Sequence, residues 1–154
     1  MQNPRFMMSC ISLVAALGLG AGANAQEAPP VALYKTMAEV NKVSGWVAFR
    51  NYDGKQWVYF TPLVTMHCGL KEIRYSINSD ALDQKFALPE CNPALPFSLP
   101  ADSGPEDIAL TLPEGSAKTV STQVVFTDDT ISDVLKFAPC ADGGDSTCAT
   151  LVDG

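Results

Sequence analysis

Residues 46–61 read WVAFRNYDGKQWVYFT. Two runs of alternating side chains flank the dipeptide Asp53-Gly54, and this arrangement is a strong signal for a β-hairpin with a two-residue turn. Such a turn fixes the register, so that Phe49 faces Val58 and every second residue of each run shares a face with them. The stretch therefore predicts an antiparallel hairpin, and it makes an all-β fold the starting expectation.

Further short runs with period-two alternation follow the hairpin and are separated by turn residues. They are Leu63–Cys68, Glu72–Asn78, Phe86–Leu88, Ile108–Leu112, Thr119–Thr127 and Ile131–Phe137. A proline-containing loop, residues 89–105, is long enough that it either carries function or packs as an ordered crossover. About seven short strands with little helix predict an immunoglobulin-like or fibronectin-III-like antiparallel β-sandwich, with a small β-barrel as the alternative.

The last of these runs form a second predicted hairpin, with its turn at Asp128-Asp129. Its register predicts three facing pairs: Val120 with Phe137, Phe126 with Ile131, and Val124 with Asp133. An acid at a core-facing position breaks the apolar pattern. We interpret it as a charge that guards an edge strand against pairing with other chains.

The segment before the first hairpin, residues 26–44, predicts an extended lead-in followed by one short helix. Leu33, Met37 and Val40 recur at helical spacing, and Ser44-Gly45 is a typical helix end. We therefore expect one short helix over Leu33–Lys42. The β-sandwich domain then covers residues 45–140, and residues 141–154 form a small polar tail.

The N-terminus has the order of a secretory signal. Arg5 gives a positively charged start, an apolar run covers residues 11–21, and Ala23-Asn24-Ala25 provides the small residues of a cleavage site. No second apolar run of membrane-spanning length follows. We expect residues 1–25 to be a cleaved signal peptide, and the protein to be periplasmic or secreted.

The cysteines agree with export. The predicted signal removes Cys10 and leaves an even number of cysteines: Cys68, Cys91, Cys140 and Cys148. Their spacing lacks the close pairs of a zinc site, so that a disulfide framework is favoured over bound metal. Pairing of sequence neighbours predicts the disulfides Cys68–Cys91 and Cys140–Cys148, with the second tethering the tail.

Composition and motifs restrict the function. The net charge of −7 disfavours nucleic acid and anionic membranes as partners, and leaves cationic partners open. His67 is the only histidine, and no nucleophile elbow, phosphate loop or calcium-loop spacing occurs. A strand over Leu63–Cys68 turns His67 outward and away from its neighbours Met66 and Cys68. We therefore predict no metal, no cofactor and no catalysis.

One aromatic constellation is a candidate binding site. The hairpin register places Trp46, Trp57 and Tyr59 on one face, with Arg50 opposite Trp57 for a cation–π contact. These side chains either meet a ligand or form core beneath the helix or the long loop. The first reading predicts an exported binding module for a glycan or an envelope protein. The alternative is a small secreted inhibitor of a cationic enzyme.

Overall fold

The structure is a computed structural model that describes residues 27–152. The predicted signal peptide, residues 1–25, lies outside the described residues. Eight strands are present in the described part: β1 Ala48–Tyr52, β2 Lys55–Tyr59, β3 Leu70–Ile77, β4 Gln84–Phe86, β5 Ala109–Pro113, β6 Val120–Phe126, β7 Leu135–Ala138 and β8 Thr150–Val152. Two α-helices accompany them: α1 Val31–Ser44 and α2 Thr61–Val64. Neither of these helices is long and apolar enough to cross a membrane.

The strands form two antiparallel sheets, ordered β1-β2-β5 and β4-β3-β6-β7-β8. β1, β2 and β5 take the places of strands A, B and E in an immunoglobulin-type sandwich, and β3, β6 and β7 those of C, F and G. β4 pairs with β3 as strand C′ pairs with C, and β8 is an addition beside β7. The predicted sandwich is confirmed, and across residues 27–152 the sheets do not close into a barrel.

The first hairpin has the predicted register. Tyr52 pairs with Lys55, and Phe49 pairs with Val58. Asp53-Gly54 forms the turn with both φ angles positive, 55° and 67°, as a type I′ turn requires. The backbone twist of such a turn matches that of the strands, so this short motif determines which side chains face the core.

The core lies between the two sheets. Phe49 and Val58 cover the inner face of the three-stranded sheet. The five-stranded sheet contributes a buried apolar row: Ile73, Val120, Val124 and Phe137. Phe60 joins the layers, since its ring lies 4.6 Å from that of Phe86. The core therefore uses only one face of the three-stranded sheet.

The predicted strand Leu63–Cys68 is wrong, because this stretch is helical. Pro62 sits in the first turn of α2, where its missing N–H costs nothing, and a 3-10 turn at His67–Gly69 leads into β3. A helical backbone has no two-residue alternation, so the argument that turned His67 outward fails. His67 is buried, with 3% of its surface exposed.

The predicted helix α1 is present and ends at Gly45 as expected, and the face that it buries is not the stripe of Leu33, Met37 and Val40. Tyr34 and Ala38 are its buried residues, whereas Leu33 and Val40 are exposed and Met37 is half-buried. A helix face is selected by what packs against it, and a small residue at position 38 lets an aromatic side chain approach. Apolar spacing alone does not identify the buried face.

The predicted register of the second hairpin is correct at its base and wrong near its turn. Val120 pairs with Phe137 as predicted. Ile131, however, pairs with Val125 and not with Phe126. The register therefore shifts by one residue within the hairpin, as an extra residue in one strand produces.

The shift changes the role of Asp133. Ser132, not Asp133, hydrogen-bonds to the backbone of Val124. Asp133 is exposed, and its carboxylate lies 3.4 Å from the ammonium of Lys42 on α1. Asp133, which was expected to face the core of an edge strand, thus forms an ion pair at the surface.

Both predicted disulfides, Cys68–Cys91 and Cys140–Cys148, are confirmed. The second does more than tether a tail, because the tail contributes β8 to the five-stranded sheet. Cys148 also exchanges two backbone hydrogen bonds with Phe49, both 2.9 Å long. The C-terminal segment therefore connects the outer edge of one sheet to the outer edge of the other.

Candidate binding face of the three-stranded sheet

The outer face of the three-stranded sheet carries a pair of nearly parallel aromatic rings. Trp57 and Tyr59 lie two residues apart on β2 and therefore share a face. Their ring centroids are 6.2 Å apart and the planes differ by 17°. Both side chains are half-buried. The two predicted site residues on β2 thus form one flat apolar strip at the surface.

Trp46 does not belong to this strip, and its prediction as a binding residue is corrected. It lies before β1, so strand alternation no longer sets its direction. Its side chain is fully buried, and Nε1 donates a hydrogen bond of 2.9 Å to the carbonyl of Ala38 on α1. A core residue with a satisfied indole N–H cannot contact a ligand.

Arg50 pairs with Trp57 in the register, as predicted. Its guanidinium nevertheless lies over a different ring, 4.6 Å from the centroid of Tyr52. Nε also donates a hydrogen bond of 3.0 Å to the carbonyl of Asp145. These contacts place Arg50 at the border between the aromatic strip and the C-terminal disulfide loop.

The Trp57 indole N–H lacks an acceptor within residues 27–152, although the nitrogen is shielded from solvent. Tryptophan N–H groups usually find a partner when they are covered. The strip therefore includes one covered polar group besides its apolar area.

Two neighbouring cavities, of about 270 and 330 Å³, lie beside β1 at the C-terminal loop, and neither is lined by Trp57 or Tyr59. Both are bordered by Asn51 and by the start of the C-terminal loop at Pro139–Ala141. The side-chain oxygen of Asn51 is covered and has no donor within the described chain. Asn51 pairs with Gln56 at core-facing positions of the hairpin. The sequence signal for this polar edge is that the predicted hairpin register pairs two amide side chains, Asn51 and Gln56, on a face that is otherwise apolar.

The only histidine of the chain, His67, lies in the interior and not on this face. His67 has Nδ1 2.9 Å from the carbonyl oxygen of Val64, and Nε2 is buried without a partner in the described part. Over residues 27–152, no group of three or more His, Cys, Asp and Glu side chains is placed to hold a metal ion.

Comparison with known proteins found no matching protein family, no matching curated protein and no matching solved structure.

Proposed function

We propose that this protein is an exported, non-catalytic binding module that recognises its ligand through the outer face of the three-stranded sheet. The observation that carries the proposal is the flat Trp57–Tyr59 pair. The sandwich needs one apolar face on this sheet, and Phe49 and Val58 already provide it. Two large rings on the other face therefore require a separate explanation.

One contact each of helix α1 and the long loop, the two elements that could have covered the rings, lies away from the strip. Helix α1 packs on Trp46, whose indole N–H donates a hydrogen bond to the carbonyl of Ala38. Phe97 of the long loop packs on Tyr34, with ring centroids 5.5 Å apart. Both contacts lie on α1, so they do not account for the aromatic strip. These placements favour the ligand explanation over the core explanation for Trp57.

A glycan is the ligand class that the strip fits best. The face of an aromatic ring carries the negative part of its quadrupole and attracts the polarised C–H groups of a sugar ring. Two nearly parallel rings offer stacking positions to two successive sugars. Export to an envelope rich in polysaccharide is compatible with the two disulfides. An envelope protein is the other ligand class, and Trp57 would then act as its anchor.

Binding to insoluble polysaccharides tests the proposal. Purified peptidoglycan, chitin and cellulose are each sedimented with the mature protein at low and high salt. We expect Trp57→Ala to weaken binding by about tenfold, the equivalent of one lost stacking contact. Stacking should survive high salt, because it does not depend on charge. Phe97→Ala, which removes a partly exposed aromatic ring outside the strip, should bind normally.

Two results would count against the proposal. Equal binding by Trp57→Ala and the unmodified protein would remove the aromatic strip from the site. Binding to a cationic enzyme that disappears in high salt and ignores Trp57 would favour the alternative, a small secreted inhibitor drawn by the net charge of −7.

A further inference from the structure

The loop between β4 and β5 forms a second surface that the sheet-face proposal does not use. We call residues 89–105 the proline loop. It contains five prolines: Pro89, Pro93, Pro96, Pro100 and Pro105. Proline limits the conformations of the free chain, so that less entropy is lost when such a loop binds a partner.

Contacts with the rest of the molecule hold the proline loop in place. Cys91 is joined by a disulfide to Cys68, in the 3-10 turn that precedes β3. Phe97 packs on Tyr34, which is itself fully buried. The backbone turns at the tip, where Leu95 N–H donates a hydrogen bond of 3.0 Å to the carbonyl of Asn92. The tip is thus ordered before any partner arrives.

The tip exposes apolar side chains despite this order. Leu95 is 57% exposed and Phe97 is 39% exposed. Exposed large apolar side chains two residues apart on an ordered loop resemble the anchors that carry most of the energy of protein interfaces.

Charge around the tip identifies the kind of partner. Between Lys85 and Lys118 the chain has no Lys, Arg or His, and it has five acids: Glu90, Asp102, Glu106, Asp107 and Glu114. None of these acids forms a salt bridge within residues 27–152. A cavity of about 220 Å³ joins the two arms of the loop at Pro89 and Asp102. Two of these acids, Asp102 and Asp107, line this cavity together with Pro89, so that negative charge without a salt bridge in the described chain lies at the base of the loop.

We propose that the proline loop is a docking surface for a protein with a basic patch around an apolar socket. Leu95 and Phe97 enter the socket, and Glu90 and Asp102 face lysine or arginine at its rim. The acids repel nucleic acid and anionic lipid, and they repel a second copy of this acidic chain. Charge steers the encounter, whereas the apolar anchors slow dissociation. This proposal is independent of the ligand of the sheet face.

Capture from the envelope of the cells that produce the protein tests the proposal, with the mature protein as immobilised probe. Each captured protein is identified, purified and measured for direct binding. The proposal expects a basic protein whose affinity falls by about tenfold with Leu95→Ala. Val43→Ala is the matched control, because Val43 is exposed on α1. Leu95 lies at the surface, so its removal leaves folding intact and the affinity interpretable.

A second experiment tests the role of charge with the double variant Glu90→Gln and Asp102→Asn. Its control is Asp53→Asn, which removes an acid at the hairpin turn, outside the proline loop. We expect the double variant to slow association at low salt by roughly threefold to tenfold and to reduce the salt dependence. Trp57→Ala should leave this binding unchanged, so failure here is distinguishable from failure of the sheet face. Capture that is insensitive to Leu95, or partners without a basic surface, would overturn the proposal, as would the absence of any captured protein.

Discussion

The side chain of Gln56 on β2 provides the sharpest test of how this fold is held together. Its Nε2 donates a hydrogen bond of 3.0 Å to the carbonyl of Ala117, and the N–H of Ala117 donates one of 2.7 Å to Oε1. Gln56 is 1% exposed and Ala117 is fully buried. The amide therefore takes the place of a neighbouring strand, and it ties the turn before β6 to the three-stranded sheet.

The substitution Gln56→Leu removes both bonds and keeps most of the side-chain volume. Each buried backbone group left without a partner costs about 1–3 kcal/mol. The more apolar side chain offsets about 1–2 kcal/mol of that loss. We expect the free energy of unfolding to fall by about 2–4 kcal/mol, which is a large part of the stability of a domain this size.

Urea unfolding measures this loss. The midpoint should fall by about 1–2 M with an unchanged slope, since slopes for small proteins are about 1–3 kcal/mol per M. Gln84→Leu on β4 is the control, because Gln84 is exposed and its removal should change stability by less than about 0.5 kcal/mol. Hydrogen exchange should also show that the Ala117 amide loses protection. A loss below about 1 kcal/mol in Gln56→Leu would refute the assigned role of the amide pairing.

Two further predictions follow from burial and charge. Trp46→Ala should lower the free energy of unfolding by about 3–5 kcal/mol in a urea melt, because it empties a core site; a smaller loss than that of Trp57→Ala would contradict the assignment of Trp46 to the core. The hydrogen bond from Lys35, with those from the hydroxyl and the backbone N–H of Thr130, lowers the pKa of Asp128 from its ordinary value of 3.8 to about 2. The ionised carboxylate therefore favours folding above pH 3.8, and this contribution is lost as the pH falls through about 2. An NMR titration in which Lys35→Met leaves the pKa of Asp128 unchanged would disprove this cause.

The features predicted correctly from sequence depend on neighbours along the chain. The turn at Asp53-Gly54 needs two residues that accept positive φ, and it then sets the whole register of the hairpin. The disulfides join cysteines that are adjacent in sequence order, for which closure costs the least chain entropy. The pair Trp57–Tyr59 follows from strand alternation alone. Local geometry carried enough information for the sandwich class and for half of the aromatic face.

Tertiary packing decided the rest. Trp46 and His67 lie outside the strands to which alternation applies. Trp46 is buried beside helix α1, and His67 is buried within a 3-10 turn. The buried face of α1 depends on which helix surface Trp46 can approach, and hydrophobic spacing does not contain that choice. From the sequence, Gln56 is only a polar residue at a core position. Its hydrogen-bond partners are the backbone N–H and carbonyl of Ala117, 61 residues away, which the fold brings beside it. A sequence specifies the direction of side chains over a few residues, whereas their partners are selected only when the two sheets close on one core.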